Sequence, residues 1–379
     1  MKIVIAPNAF KNSLDAAAVA EAISKGLQQS KLDCETICFP VGDGGDGTGA
    51  LLSTHFKGEK IITNVHDPLG RIIESSFGFI SESKTAIIEM ADASGLRLLK
   101  PGEYDPLHAT TFGTGELIKA ALDEGANKII ICIGGSATVD AGTGMLQALG
   151  VKFFDALENE LNHLPASLKD VFAVNLLDID KRIFQTSFTV LCDVENTLLG
   201  EHGAAKVFGP QKGATHDDVI LLEEGFKKLC NIVYDESGKD MSMIKHGGAA
   251  GGLAAALHTF LHAKLVVGID HFLQLTQFEN VLKDANIAIT GEGSIDLQTL
   301  QGKAPFGVAQ KAKQNGLPVI GIAGKVPLIS NDELEKYFDL LLPINNEAME
   351  LSTAIQYTYE NLVRTAKTLG DMLTLQNAV

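Results

Sequence analysis

The stretch Ile287–Ala304 reads I-A-I-T-G-E-G-S-I-D-L-Q-T-L-Q-G-K-A. A short apolar strand runs into a glycine-rich turn that carries Glu292, Asp296 and Lys303. In an open α/β sheet, ligands bind just past strand ends. Acids plus a lysine on glycine-supported backbone suit a metal-bound phosphate chain. A second segment, Gly42-Asp43-Gly44-Gly45-Asp46-Gly47, matches G-x-G-x-x-G between a strand and a helix over Thr48–Phe56. That pattern raises a dinucleotide site and an NAD-dependent oxidoreductase. Asp43 and Asp46 weaken it, because they stand where a pyrophosphate would lie, and the fingerprint belongs on the first βα unit rather than the second. A divalent cation reverses the objection, since carboxylates, Mg²⁺ and phosphate are compatible together.

Further candidates share this placement after strands. Ile129–Ile133 leads to Gly134-Gly135-Ser136-Ala137-Thr138-Val139-Asp140 and a helix from about Thr143 to Leu149. Glycine lets backbone N–H groups approach an anion, and the helix start favours one. Ser136 and Thr138 add hydroxyl donors. Asp193 follows the strand Thr189–Leu191 as a metal or base candidate, and Lys212 comes shortly after in Phe208–Ala214. Asn8 and Lys11 follow the first strand, where a lysine can meet a phosphate. No G-x-x-x-x-G-K-[ST], protein-kinase signature, G-x-S-x-G or H-E-x-x-H occurs, so a phosphotransferase here is neither a P-loop enzyme nor a protein kinase.

The elements that position these residues follow from apolar patterning. Ile3–Ala6, Thr36–Phe39, Ile287–Ile289, Val319–Ile322 and Leu340–Leu342 are short apolar runs separated by helical patterns. They predict a doubly wound parallel sheet. Asp15 is placed to cap the first helix, whose Val19, Ile23 and Leu27 recur on one face. The middle differs: Lys60–Val65 and Ile72–Phe79 flank Asp67-Pro68-Leu69-Gly70, a turn signature that predicts an antiparallel hairpin, with Lys84–Met90 as a third strand. The expected organisation is one α/β domain of residues 1–58 and 284–379, interrupted by an inserted domain of residues 59–283.

Composition bounds the function. The 379 residues carry a formal charge of -16, which excludes a general nucleic-acid role, because no basic field attracts a phosphate backbone. Five cysteines form no paired C-x-x-C and no zinc pattern, so reduced thiols in a cytoplasm are expected. The opening residues read as a strand rather than a secretory leader. No run of 18 apolar residues occurs to span a membrane.

Taken together, these blocks resemble the bacterial glycerate kinase family, the type that usually makes 2-phosphoglycerate. Ala6-Pro7-Asn8-Ala9-Phe10-Lys11 is similar to the family's A-P-D-S-F-K opening. Gly42–Thr48, Asp92–Leu96, Gly113–Ile118, Gly134–Gly144, Cys192–Gly213, Gly247–Leu257 and Thr290–Lys303 resemble its other blocks in order, over essentially the whole chain. The resemblance implies a flavodoxin-like domain interrupted by a second, restriction-enzyme-like α/β domain, with the active site in the interdomain cleft. It also implies ATP-dependent phosphorylation of D-glycerate with Mg²⁺. The chain departs from the family at Asn8 (usually Asp), Ala9 (usually Ser) and Val139–Gly142 (usually Asn-Asp-Gly-Gly).

On that reading Asp43, Asp46 and Glu292 bind metal. Lys11, Lys212 and Lys303 offset phosphate charge. Asp193 or Asp296 accepts the substrate hydroxyl proton. Asn8, Gly134, Gly135, Ser136, Thr138 and Asp140 line the substrate and phosphates, and Arg71 holds the substrate carboxylate in a bidentate pair. The alternatives are a 3-phosphoglycerate product, another small hydroxy acid as acceptor, the oxidoreductase, and a relative that binds ligand without turnover. Partners are the small-molecule substrates only, with a monomer or homodimer as the assembly.

Overall fold

The computed structural model describes residues 1–347 and 350–375. In chain order the strands are β1 (Lys2–Ile5), β2 (Glu35–Cys38), β3 (Glu59–His66), β4 (Ile72–Ile80), β5 (Thr85–Glu89), β6 (Lys128–Cys132) and β7 (Lys152–Phe154). They continue with β8 (Ala173–Asn175), β9 (Ser187–Cys192), β10 (Lys264–Val267), β11 (Ile287–Ser294), β12 (Val319–Lys325) and β13 (Leu340–Pro343). The chain divides into two compact units, Met1–Asp43 with Ile269–Val379, and Gly44–Gly268. These boundaries fall earlier than 59 and 284. The helix Thr48–His55 packs on β4 and β5, so it belongs with the second sheet rather than the first.

The first unit is an all-parallel sheet in the order β13-β12-β11-β1-β2. Counted within the unit this is 2-1-3-4-5, the flavodoxin-like winding, and the order reverses between β1 and β11. Ile3, Val4 and Ile5 are fully buried, as expected of a β-branched strand inside a parallel sheet. The helix Ala16–Gln28 is capped by Asp15, which accepts from Ala18 N at 2.8 Å, and it buries Val19, Ile23 and Leu27. It packs against Thr358–Leu375 so closely that a Cβ on Gly26 would lie 2.3 Å from the Val363 carbonyl.

The second unit holds a mixed sheet in the order β10-β9-β6-β5-β4-β3. β3 and β4 form the expected hairpin, and β5, β6, β9 and β10 run parallel. Its core includes Phe153, Phe226, Ile88, Ile131 and Met145. One of its helices spans Phe112–Asp123. Thr114 lies inside the first turn, its hydroxyl 2.8 Å from Ser94 Oγ. Among the described residues no helix is long and apolar enough to cross a membrane.

Candidate active site

In the first unit the chemistry-bearing residues sit at the carboxyl ends of the strands around the β1/β11 reversal, where a doubly wound sheet binds ligands. Asn8 and Lys11 follow β1. Paired backbone hydrogen bonds between Phe10 and Leu14 close a tight loop that presents Lys11 to solvent. Asp43, beyond β2, is buried. Its Oδ2 accepts from Asn8 Nδ2 at 3.1 Å and from Ala304 N at 3.3 Å, the start of the helix Ala304–Gln314. Asn8 thus keeps a polar contact with Asp43, while its own Oδ1 accepts from Ala9 N at 2.8 Å.

Glu292 does not lie on a turn. β11 runs on through Ser294, with Glu292 paired to Ala323 of β12. The glycines that suggest a loop instead permit close strand approach: a Cβ on Gly291 would stand 2.0 Å from the Ile322 carbonyl. Glu292 is 8% exposed, and Thr299 Oγ1 donates to its Oε1 at 2.8 Å. Burial pushes its carboxyl up to about 7. Lys303, the Thr299 hydrogen bond and Lys11 pull it down, while Asp43 adds to the rise. Asp296, expected as a base, caps the short 3₁₀ turn Leu297–Gln301, accepting from Gln298 N at 2.8 Å.

The expected metal set divides. Asp43 and Glu292 belong to the first unit. Asp46 belongs to the second, where Arg97 Nη1 donates to its carboxylate. Among the described residues no group of three or more His, Cys, Asp or Glu side chains forms a metal cage. Two carboxylates nonetheless suit Mg²⁺, which keeps waters and takes one or two protein carboxylates together with substrate phosphates.

In the second unit Lys212 is 3% exposed on the turn Pro210–Lys212. Its Nζ donates to Ser136 Oγ at 2.6 Å and to the Thr138 carbonyl at 2.8 Å. Burial pulls its ammonium down to about 7 against the opposing pull of Asp140 and Asp193. Beside it, Thr138 Oγ1 is buried with no hydrogen-bond partner among the described residues. Asp193 stands just past β9, half-buried.

Other expected contacts are structural. Asp140 is fully buried. Its carboxylate accepts from Thr111 N, Thr111 Oγ1, Gly142 N and Gly144 N, and so fixes the start of the helix Thr143–Ala148. Gly134 donates to the Gly44 carbonyl at 2.9 Å, and a Cβ on it would meet Gly45 Cα at 2.4 Å. Gly44 packs equally tightly on Leu191, so these glycines serve backbone packing rather than an open dinucleotide turn. Gly135 adopts φ of +74°. Val139 is wholly inside the core. Arg71 is committed on the β3–β4 turn, its Nε to Asp67 and its Nη1 to Glu103 at 2.9 Å.

Sequence reasoning missed Glu89, the last residue of β5. Burial raises its carboxyl to about 7, with Asp92 and Asp46 adding to the rise, while Gly47 N donates to it. Arg97 bridges Asp46 and Asp92 beside it. The available signal was an acid closing the apolar run Thr85–Glu89, at a strand's carboxyl end.

Three comparisons bear on this arrangement. The model of the glycerate kinase family matches residues 3–374. The chain is 42% identical over 368 residues to glycerate kinase of Halalkalibacterium halodurans, covering 97% of each. It is 40% identical to glycerate 2-kinase of Escherichia coli, covering 99% of this chain and 98% of that one. A crystal structure assigned as glycerate kinase 2 from Salmonella typhimurium LT2 superposes with a TM-score of 0.84 at 39% identity, each chain covered in full. With the flavodoxin-like winding and the ordered motifs, these establish that the chain belongs to the glycerate kinase family.

Proposed function

We propose that the chain transfers the γ-phosphoryl group of ATP to D-glycerate, with Mg²⁺ and with the 2-hydroxyl as acceptor. The observation that carries this is the set at the β1/β11 switch point: the buried carboxylates of Glu292 and Asp43, with the charges of Lys11 and Lys303 acting on Glu292. Phosphoryl transfer depends mainly on positioning and charge neutralisation, and this set supplies both. The E. coli relative, a glycerate 2-kinase, supports the 2-hydroxyl over the 3-hydroxyl.

Glu292 and Asp43 would hold Mg²⁺, which when bound supplies charge neutralisation at the phosphate oxygens. Lys11 and Lys303 offset the remaining phosphate charge. In the second unit, Ser136, Thr138 and Lys212 hold the acceptor's polar groups. Asp193 accepts the hydroxyl proton as the new O–P bond forms and the bond between the γ-phosphorus and ADP breaks. Val139 lies in the core, so its difference from the family's usual Asn changes packing there. Asn8 keeps its hydrogen bond to Asp43. Both points support turnover rather than a ligand-binding relative.

The test is ADP release with ATP and Mg²⁺, with D-glycerate, L-glycerate, tartronate or buffer in parallel and products identified by phosphorus NMR. Glycerate-dependent ADP with phosphate on the 2-hydroxyl is expected. Phosphate on the 3-hydroxyl corrects the regiochemistry. No acceptor-dependent ADP, together with NADH binding in the absence of Mg²⁺, would return the oxidoreductase reading.

A further inference from the structure

The first unit carries a cavity of about 630 Å³ between the segments that follow β11 and β12. Ile295 and Leu334 are buried in its wall, and Leu297, Leu328 and Ile329 line it. These last three are large apolar side chains left 53%, 103% and 82% exposed. Side chains of that kind clustered around one cavity mark a binding surface rather than scattered surface hydrophobics. The volume lies in the range of small-molecule sites.

Two observations say what fills it. The cavity continues into the phosphate-handling segment: Ser294 and Asp296 line it, and the same stretch of chain runs on to Lys303. In addition, none of the hydrogen bonds among the described residues involves 326–330, and Val326, Pro327, Leu328 and Ile329 of that segment line the cavity, so main-chain groups beside it have no partner among the described residues. A purine matches both features. Its faces are apolar and its edge presents donors and acceptors to backbone.

We infer that this cavity takes the purine base of ATP, with Leu297, Leu328 and Ile329 against its faces and the 326–330 backbone reading its edge. The inference rests on ATP as the phosphoryl donor. A second copy of the chain is the rival occupant of these apolar side chains.

The experiment is calorimetric titration of the full chain with Mg-ATP and, separately, with inorganic tripolyphosphate, which has the phosphates and no base. Wild type is compared with Leu328→Ser, Ile329→Ser and Leu328→Met, with sedimentation of each. The two serine variants are expected to lose about tenfold in ATP affinity each, the methionine variant to keep it, and tripolyphosphate affinity to stay within about twofold throughout. Serine variants that bind ATP like wild type overturn the base pocket and leave the kinase standing. Equal losses for ATP and tripolyphosphate overturn it too, because they place the phosphates there. A change in sedimentation with ATP affinity intact assigns the side chains to a second copy. Wild type that binds no ATP overturns the kinase reading itself.

Discussion

Lys212 Nζ donates to Ser136 Oγ at 2.6 Å across 76 residues of sequence. The bond joins the turn Pro210–Lys212 to the loop after β6 and leaves an ammonium group almost without water. Its hydrogen bonds go to a hydroxyl and a carbonyl, neither of them charged. The pull of Asp140 and Asp193 is weaker than the burial, so the group titrates near 7.

This sets a pH dependence whose sign can be derived. An unfolded Lys212 holds its proton to about 10.4, whereas the folded one releases it near 7. Between those values the unfolded chain binds more protons, so this residue makes stability rise with pH. Lys212→Met removes that contribution. Thermal melts from pH 7 to 10 should show a flatter Tm profile for the variant, with its largest relative gain at the low end. The two lost hydrogen bonds offset the gain by about 1–3 kcal/mol. An unchanged slope would mean that Lys212 is not buried as described. Turnover should fall by about 10²-fold or more if the ammonium stabilises transferring charge.

Glu292 and Thr299 make the corresponding test on the first unit. Glu292→Gln removes a charge that only a cation or the two lysines can balance in a buried place. Mg²⁺ with a non-hydrolysable ATP analogue should raise the Tm of wild type and move the variant far less. Thr299→Val, which deletes the 2.8 Å hydrogen bond and keeps the charge, should cost about 1–3 kcal/mol of stability and retain the metal-dependent shift. Equal shifts in all three proteins would remove Glu292 from the metal site.

The sequence made the winding of the first sheet legible because every strand in it is a short β-branched or leucine run, with capped helices between. Asp15 caps as expected. The placement of Lys11, Asp43 and Glu292, just past or late in apolar strands, was legible for the same reason. Glu292 was placed on a turn because glycine reads as a turn, whereas in β11 it allows β12 to approach. Arg71 and Asp46 looked available because a sequence shows charges and not partners. Only the fold shows Asp67 and Glu103 around one and Arg97 beside the other. The partners of Asp140 likewise show only in the fold: three backbone N–H groups on two stretches of chain, and one hydroxyl.

Asp140 therefore predicts a stability effect ahead of a kinetic one. Asp140→Ala leaves Thr111, Gly142 and Gly144 donors buried without an acceptor, and should cost about 3–5 kcal/mol, enough to limit folding at 37 °C. Asp140→Asn keeps one acceptor oxygen and should recover part of that. In the fraction of Asp140→Asn that folds, KM for glycerate should change by less than about threefold. A large KM change with a wild-type Tm would show direct contact with substrate.

The catalytic base can be identified by comparing two asparagine substitutions that differ in what else they remove. Asp296 already accepts from Gln298 N and starts the Leu297–Gln301 turn, so Asp296→Asn acts through a cap that Asn also forms well. Its expected cost is under about 1 kcal/mol of stability, with kcat reduced less than about tenfold. Asp193 lies past β9, and its charge acts on the buried ammonium of Lys212. Asp193→Asn should lower kcat by about 10²–10⁴, the range for removing a general base. Its residual rate should lose the acidic limb of the pH profile, which a purely positioning residue would retain. If instead Asp296→Asn carries the large kcat loss with an unchanged Tm, the proton goes to Asp296, and the cap is then a resting-state arrangement that substrate binding must break.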